Sequence, residues 1–161
     1  MARDCRERAL SPSQVRVTIV MQKSKLVDDM LRGLSTLPLT SLEAFQRDAR
    51  DAAAAESYLR RALEALLDLG RHVVAKALGE STLEYKQIAL ALRRAGVVDE
   101  ACGDALLDMA GYRNRLTHFY DEVSTAELFA ICAQRSADIR NVRDAILGWL
   151  RRHPELVDGE L

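Results

Sequence analysis

The eight residues Arg113-Asn114-Arg115-Leu116-Thr117-His118-Phe119-Tyr120 concentrate the chemistry that this sequence offers. A guanidinium stays charged at any working pH and suits phosphate oxygens. An imidazole takes up and returns a proton near neutrality. Together they suffice for cleaving RNA without a metal: a base for the ribose 2′-hydroxyl and a cation for the charge that builds on phosphorus. Arg-x4-His alone is a weak signal in a chain with 19 Arg and 3 His. Requiring Tyr two residues later lowers the chance expectation to roughly 0.01. The ordinary alternative is an exposed Arg, a His at a helix C-terminus, where a cation is favoured, and a Tyr at the rim.

These residues close a helical stretch whose apolar stripe is Cys102, Ala105, Leu106, Met109, Tyr112 and Leu116, with Asp99 as its cap. Asn114 and His118 are four apart and share one face, while Arg113 and Tyr120, seven apart, share another. Arg113 and His118 lie about 140° apart on an ideal helix. For both to reach one phosphate, the helix must loosen near Thr117 or the site must be a cleft spanning that angle.

The remaining elements are also helical. Proline occurs only at positions 12, 38 and 154, leaving a long proline-free interior. A first helix is expected from Gln22 to Leu34, ending near Gly33 and Pro38, and a second after Thr40 or Ser41 as N-cap. The longest runs from Asp48 to Leu78 on the stripe Leu59, Ala62, Leu63, Leu66, Leu69, Val73 and Ala77, with a break near Arg50–Glu56 left open. Gly70 within it marks a close helix contact. Ser81 or Thr82 should cap a shorter helix closed by Gly96. Ser124-Thr-Ala-Glu127 has capping-box spacing and opens the last helix, with Leu128, Ile131, Cys132, Ile139, Val142, Ile146 and Trp149 inward. The expected architecture is an all-α bundle of five or six helices over residues 21–153, with an up-and-down core. Residues 1–20 read as a leader outside the core fold, in which Val15, Val17, Ile19 and Val20 suit a short strand or an extended tail, and Met21 is an alternative start. Residues 154–161 read as a frayed tail.

Composition narrows the function. The net charge of −1 provides no global basic field for nucleic acid or membrane, so RNA must be held by a local cluster, completed by a second subunit. Arg60-Arg61, Arg93-Arg94 and Arg115 are candidates for guiding RNA, although solvated helix faces are the simpler reading. Cys5, Cys102 and Cys132 are odd in number and widely spaced, and His72, His118 and His153 have no ligand spacing, which points away from a disulfide framework or a metal site. No apolar run reaches the ~18 residues of a membrane span, and the charged start lacks a signal-peptide core. A cytoplasmic protein with no cofactor and no membrane contact is expected.

The motif resembles that of the HepT toxins, a branch of the HEPN (higher eukaryotes and prokaryotes nucleotide-binding) superfamily. That family carries R-N-x-L-x-H-x-Y near the end of a late helix, and Arg113, Asn114, Leu116, His118 and Tyr120 supply every letter. Gly111-Tyr112 agrees as well, and Ala62-Leu-Glu64-Ala-Leu-Leu-Asp68 followed by His72 is similar to the family's A-x-E-A-x-x-D…H segment. The resemblance spans roughly residues 22–150.

The resemblance implies a HEPN-type helical bundle that forms a homodimer, with two motif copies facing one cleft. It implies a toxin that cuts RNA as a metal-independent endoribonuclease. A nucleotidyltransferase antitoxin, MNT, would neutralise it by transferring AMP to the motif tyrosine. On this chain Arg113 and His118 become the catalytic pair, Asn114 the orienting group and Tyr120 the site of modification. Glu64 and Asp68, one turn apart, are candidates to orient Arg113 or His118, with a structural carboxylate pair as the plainer reading. Which histidine of the dimer is base and which is acid stays open. Two other readings compete: a non-catalytic HEPN-type module that binds a nucleotidyltransferase or nucleotide, and an unrelated helical adaptor. The intact Arg, His and Tyr favour the nuclease.

Overall fold

Apolar positions repeating every three to four residues dominate the chain, and helices result. A computed structural model describes residues 13–82, 84–118 and 120–161, excepting the side chain of Tyr120. The described helices are α1 (Val17–Ser35), α2 (Leu42–Gln46), α3 (Ala49–Ala77), α4 (Tyr85–Arg94), α5 (Glu100–His118) and α6 (Thr125–Arg152), with 3-10 turns at Tyr120–Glu122 and Pro154–Leu156.

The long α3 is the centre of the bundle. Its Leu59, Leu63, Leu66, Leu67 and Leu69 are fully buried, and α1, α2, α4, α5 and α6 all pack on it. It runs unbroken through Arg50–Glu56, started by Asp48, whose carboxylate accepts from the Arg50 amide at 2.9 Å. Ser41 caps α2 by accepting from Ala44, and Ser124 caps α6 by accepting from Glu127, each at 3.1 Å. Asp99 accepts from the Cys102 amide at 2.7 Å at the start of α5.

Gly70 is the close contact between α3 and α4: a Cβ there would stand 3.0 Å from Ile88 and 3.1 Å from Leu92. Gly33 lies inside α1, where its missing side chain admits the Tyr58 ring. The expected cap of α4 is displaced. Glu84 occupies the N-cap without a side-chain bond; burial of Ile88 and Leu92 against α3, rather than a hydroxyl cap, sets where this helix begins. Gly96 follows it at φ +72°, a left-handed stop that glycine adopts without strain.

Both expected chain ends need correction. Residues 1–12 of the leader lie outside the described residues, but 13–20 belong to the bundle. Val15 and Val20 are fully buried, and α1 starts at Val17 rather than Gln22. Val15 lies outside any named strand. It forms a parallel bridge with Val157, donating to Leu156 O at 2.8 Å and accepting from the Asp158 amide at 3.0 Å. The Asp158 carboxylate accepts from the Val17 amide at 2.8 Å, placing a negative charge at the positive end of the α1 dipole. Residues 154–161 are accordingly tied down rather than frayed, with Val157 buried. The cause is apolar surface: Val15, Val20 and Val157 are all buried in the common core.

Candidate functional site

α5 remains α-helical through His118, so it does not loosen at Thr117. Helical geometry therefore keeps Arg113 and His118 on different sides of α5, and of the two ways to reach one phosphate only the cleft remains. His118 is the last residue of α5 and is exposed. The Thr117 hydroxyl is buried with no hydrogen-bond partner among the described residues. Tyr120 opens the 3-10 turn beyond the helix; its side chain lies outside the described residues.

Arg113 is held from two neighbouring helices. Its guanidinium carbon sits 4.8 Å from the centroid of the Tyr85 ring, at the first turn of α4. Its Nη2 lies 3.6 Å from Oε1 of Glu64 on α3. The side chain is 19% exposed, and its Nε is buried with no hydrogen-bond partner among the described residues. Arg71 on α3 approaches the same ring, also at 4.8 Å. The carboxylates beneath are shared: Glu64 faces Arg60 at 3.5 Å as well, and Asp68 pairs with Lys23 at 3.1 Å and Arg71 at 3.4 Å. Of the two candidate orienting carboxylates, Glu64 reaches Arg113 and Asp68 is engaged by Lys23 and Arg71. An open cavity of about 260 Å³ adjoins this group, lined by Glu84, Tyr85, Lys86, Arg113 and Asn114. A larger one, about 380 Å³, lies among Leu150, Pro154, Val157 and Leu161 and contains none of the motif.

Of the other arginines considered for RNA, all but the exposed Arg61 are already engaged. Arg60, Arg93 and Arg94 pair with Glu64, Asp104 and Glu80. Arg115 donates to both carboxylate oxygens of Glu127, at 2.5 and 2.9 Å, and to Glu122 O at 3.3 Å. That pairing lowers the Glu127 pKa and raises that of Arg115. The Glu127 carboxylate thus leaves the capping box half-made and serves Arg115 instead.

The remaining histidines are structural. His72 Nε2 accepts from the Arg16 amide at 3.0 Å, and His153 stacks on Trp149 with ring centroids 4.3 Å apart. Cys132 is buried, which pushes its thiol up to about 12. Among the described residues no three His, Cys, Asp or Glu side chains group as metal ligands, and no helix is long and apolar enough to cross a membrane.

Tyr85 and Arg71 are the parts of this arrangement that the motif does not announce. No spacing rule connects positions 71, 85 and 113, which meet only because Gly70 seats α4 against α3. An aromatic residue at the start of an otherwise polar helical turn, followed by Lys86, was the only local signal.

The model of the family described as "Ribonuclease HepT-like" matches residues 28–146, a span that includes Glu64, Tyr85 and the whole motif. No curated protein matches the chain in sequence. Solved structures do match in fold. A toxin–antitoxin complex with AMP-PNP superposes with a TM-score of 0.73 at 17% identity, covering 81% of this chain and 98% of that one. A tri-AMPylated HEPN toxin of Shewanella oneidensis in complex with MNT antitoxin gives 0.73 at 18% identity, over 81% and 97%. The cytosolic protein YutE of Bacillus subtilis, of unknown function, gives 0.72 at 18%, over 84% and 91%. At such identities the shared property is the fold, an all-α bundle of six helices. The family match, over most of the chain and across the motif, is what identifies it: the chain belongs to the ribonuclease HepT-like family.

Proposed function

We propose that this chain cleaves RNA at a composite site formed by two protomers, with Arg113 and His118 as the catalytic residues and Asn114 orienting them. The observation that carries this reading is Arg113 itself. It is three-quarters or more shielded from solvent, fixed against Tyr85 and Glu64, and free of hydrogen bonds among the described residues. A cation held in place with its donors uncommitted suits a phosphate that gains charge in the transition state.

In the proposed reaction one neutral His118 takes the proton of the ribose 2′-hydroxyl as that oxygen attacks phosphorus. The P–O5′ bond breaks, giving a 2′,3′-cyclic phosphate, and His118 of the partner subunit gives a proton to the departing 5′-oxygen. One protomer offers a single His118, so the homodimer supplies the second. Tyr120 is the regulatory position. Its phenol oxygen attacks the α-phosphorus of ATP on an MNT-type nucleotidyltransferase antitoxin, releasing pyrophosphate. The resulting phosphodiester sits close to the motif and competes with substrate phosphate for Arg113. Toxin, antitoxin and RNA would meet in the cytosol.

Incubating the purified protein with RNA in EDTA tests the reading. Cleavage to cyclic-phosphate ends is expected to persist. Arg113→Ala and His118→Ala are each expected to lose about 10²–10³ in rate with helical content unchanged. Full activity in either variant overturns the assignment.

A further inference from the structure

We infer that Tyr85 is a positioning residue for Arg113: its ring face fixes the guanidinium while leaving the N–H donors of that arginine for RNA. This rests on the reading of Arg113 as the cation of the cleavage site.

The two arginines of the motif are held in contrasting ways. Arg115 commits its fork to Glu127 and Glu122, so it is fixed and has little left to give a substrate. Arg113 is also shielded, yet no hydrogen bond holds it among the described residues. The nearest carboxylate oxygen stands at 3.6 Å, beyond hydrogen-bond reach. What remains to locate the guanidinium is the Tyr85 ring at 4.8 Å, within the range of a cation–π contact. That attraction acts through the ring face and consumes none of the five N–H donors. Glu64 adds charge attraction without capturing a donor. A transition-state cation needs this combination, because a donor bound to a neighbouring carboxylate must be released before it can serve phosphate.

Tyr85 is well placed to be rigid. It stands at the first turn of α4, a helix seated by Ile88 and Leu92 against Gly70. It also forms a wall of the cavity shared by Arg113 and Asn114. Arg71 lies against the same ring at 4.8 Å, so the ring's electron-rich face offsets repulsion between two guanidiniums that Glu64 and Asp68 only partly balance. Losing the ring would let Arg113 close the 3.6 Å gap to Glu64, turning a looser charge contact into a hydrogen-bonded pair that occupies a donor.

The test compares Tyr85→Phe, which keeps the ring face, with Tyr85→Leu, which keeps only apolar bulk, after both are shown to melt near the parent temperature. Cleavage by Tyr85→Phe is expected to stay within about threefold of the parent. Tyr85→Leu is expected to lose about 10–100-fold in kcat with little change in KM, because misplacing a catalytic group costs on that order. A second readout does not depend on cleavage: the Arg113 Hε resonance, assigned by its loss in Arg113→Lys. It should carry a ring-current shift in the parent and in Tyr85→Phe, and lose it in Tyr85→Leu. Parent-like kcat in Tyr85→Leu, equal losses in both variants, or an Hε position indifferent to the ring would each overturn the inference. Should the parent protein fail to cleave RNA, the proposed function falls, and the Hε shift still decides whether Tyr85 positions Arg113.

Discussion

Arg115 donates two hydrogen bonds to Glu127, twelve residues further on, and so ties the last turn of α5 to the first turn of α6. The segment between them carries Tyr120 and the 3-10 turn Tyr120–Glu122, which Arg115 also holds through Glu122 O. Glu127→Gln retains the helix and the Ser124 cap but removes the charge that draws both guanidinium nitrogens. Amide hydrogen exchange at 120–124 is expected to rise severalfold, with protection in α3 unchanged. Unchanged exchange in that segment would mean that the pair does not order the turn.

The proposed modification of Tyr120 can be read by mass. Co-expression with an MNT-type nucleotidyltransferase is expected to add one or more AMP units to the peptide containing Tyr120. Tyr120→Phe should escape the modification and remain toxic to the host. AMP on Tyr112 or Ser124 with Tyr120 untouched would defeat the switch.

Removing residues 1–20 is expected to destabilise the protein markedly. Val15 and Val20 are fully buried, and burying a valine side chain contributes about 1.5–3 kcal/mol; two of them amount to ~3–6 kcal/mol. Urea denaturation of a chain beginning at Met21, against the parent, measures this. A midpoint within error of the parent would restore the view of these residues as a separate leader.

His72 links stability to pH. Its Nε2 accepts the Arg16 amide, which only the neutral ring can do. Burial, then the charges of Lys76 and Arg16, hold its pKa below the ordinary 6.5, with Asp158 opposing. The unfolded chain therefore takes up this proton first. The contribution is complete above about 6.5 and declines as pH falls from there through the lowered folded value. Urea midpoints across this window should drop more steeply for the parent than for His72→Gln, whose amide oxygen can accept the same bond without titrating. Parallel slopes would assign the acid limb to other groups.

Much of the bundle was legible in the sequence because its information is periodic. The stripes through Leu59–Val73 and Leu128–Trp149 each specify a helix face locally, and Ser41, Asp99 and Ser124 mark their own caps. Gly70 was readable as a contact, though not what it contacts. The chain ends were misread because Val15, Val20 and Val157 have too little local pattern to declare a partner; their burial arises from pairing across the full length of the chain. The candidate site divides in the same way. Arg113, Asn114, His118 and Tyr120 lie in one short stretch, whereas Tyr85 and Arg71 join Arg113 only through the docking of α3, α4 and α5. Arg115, weighed as a guide for RNA, is engaged by Glu127, which the capping-box pattern had assigned to the backbone.

The pairing of Val17 with Asp158, 141 residues apart, bears on the order in which the molecule is assembled. Closing so long a loop in a disordered chain would cost about 4 kcal/mol in entropy. A few main-chain hydrogen bonds cannot meet that before the helices between them have drawn the two ends together. Residues 15–17 must wait for residues 156–158: until that later segment has been synthesised, α1 has an exposed first turn and Val15 lacks its Val157 partner. The contact is a latch set after the bundle, so the finished fold dates from the moment residues 156–158 are free to reach back to residues 15–17.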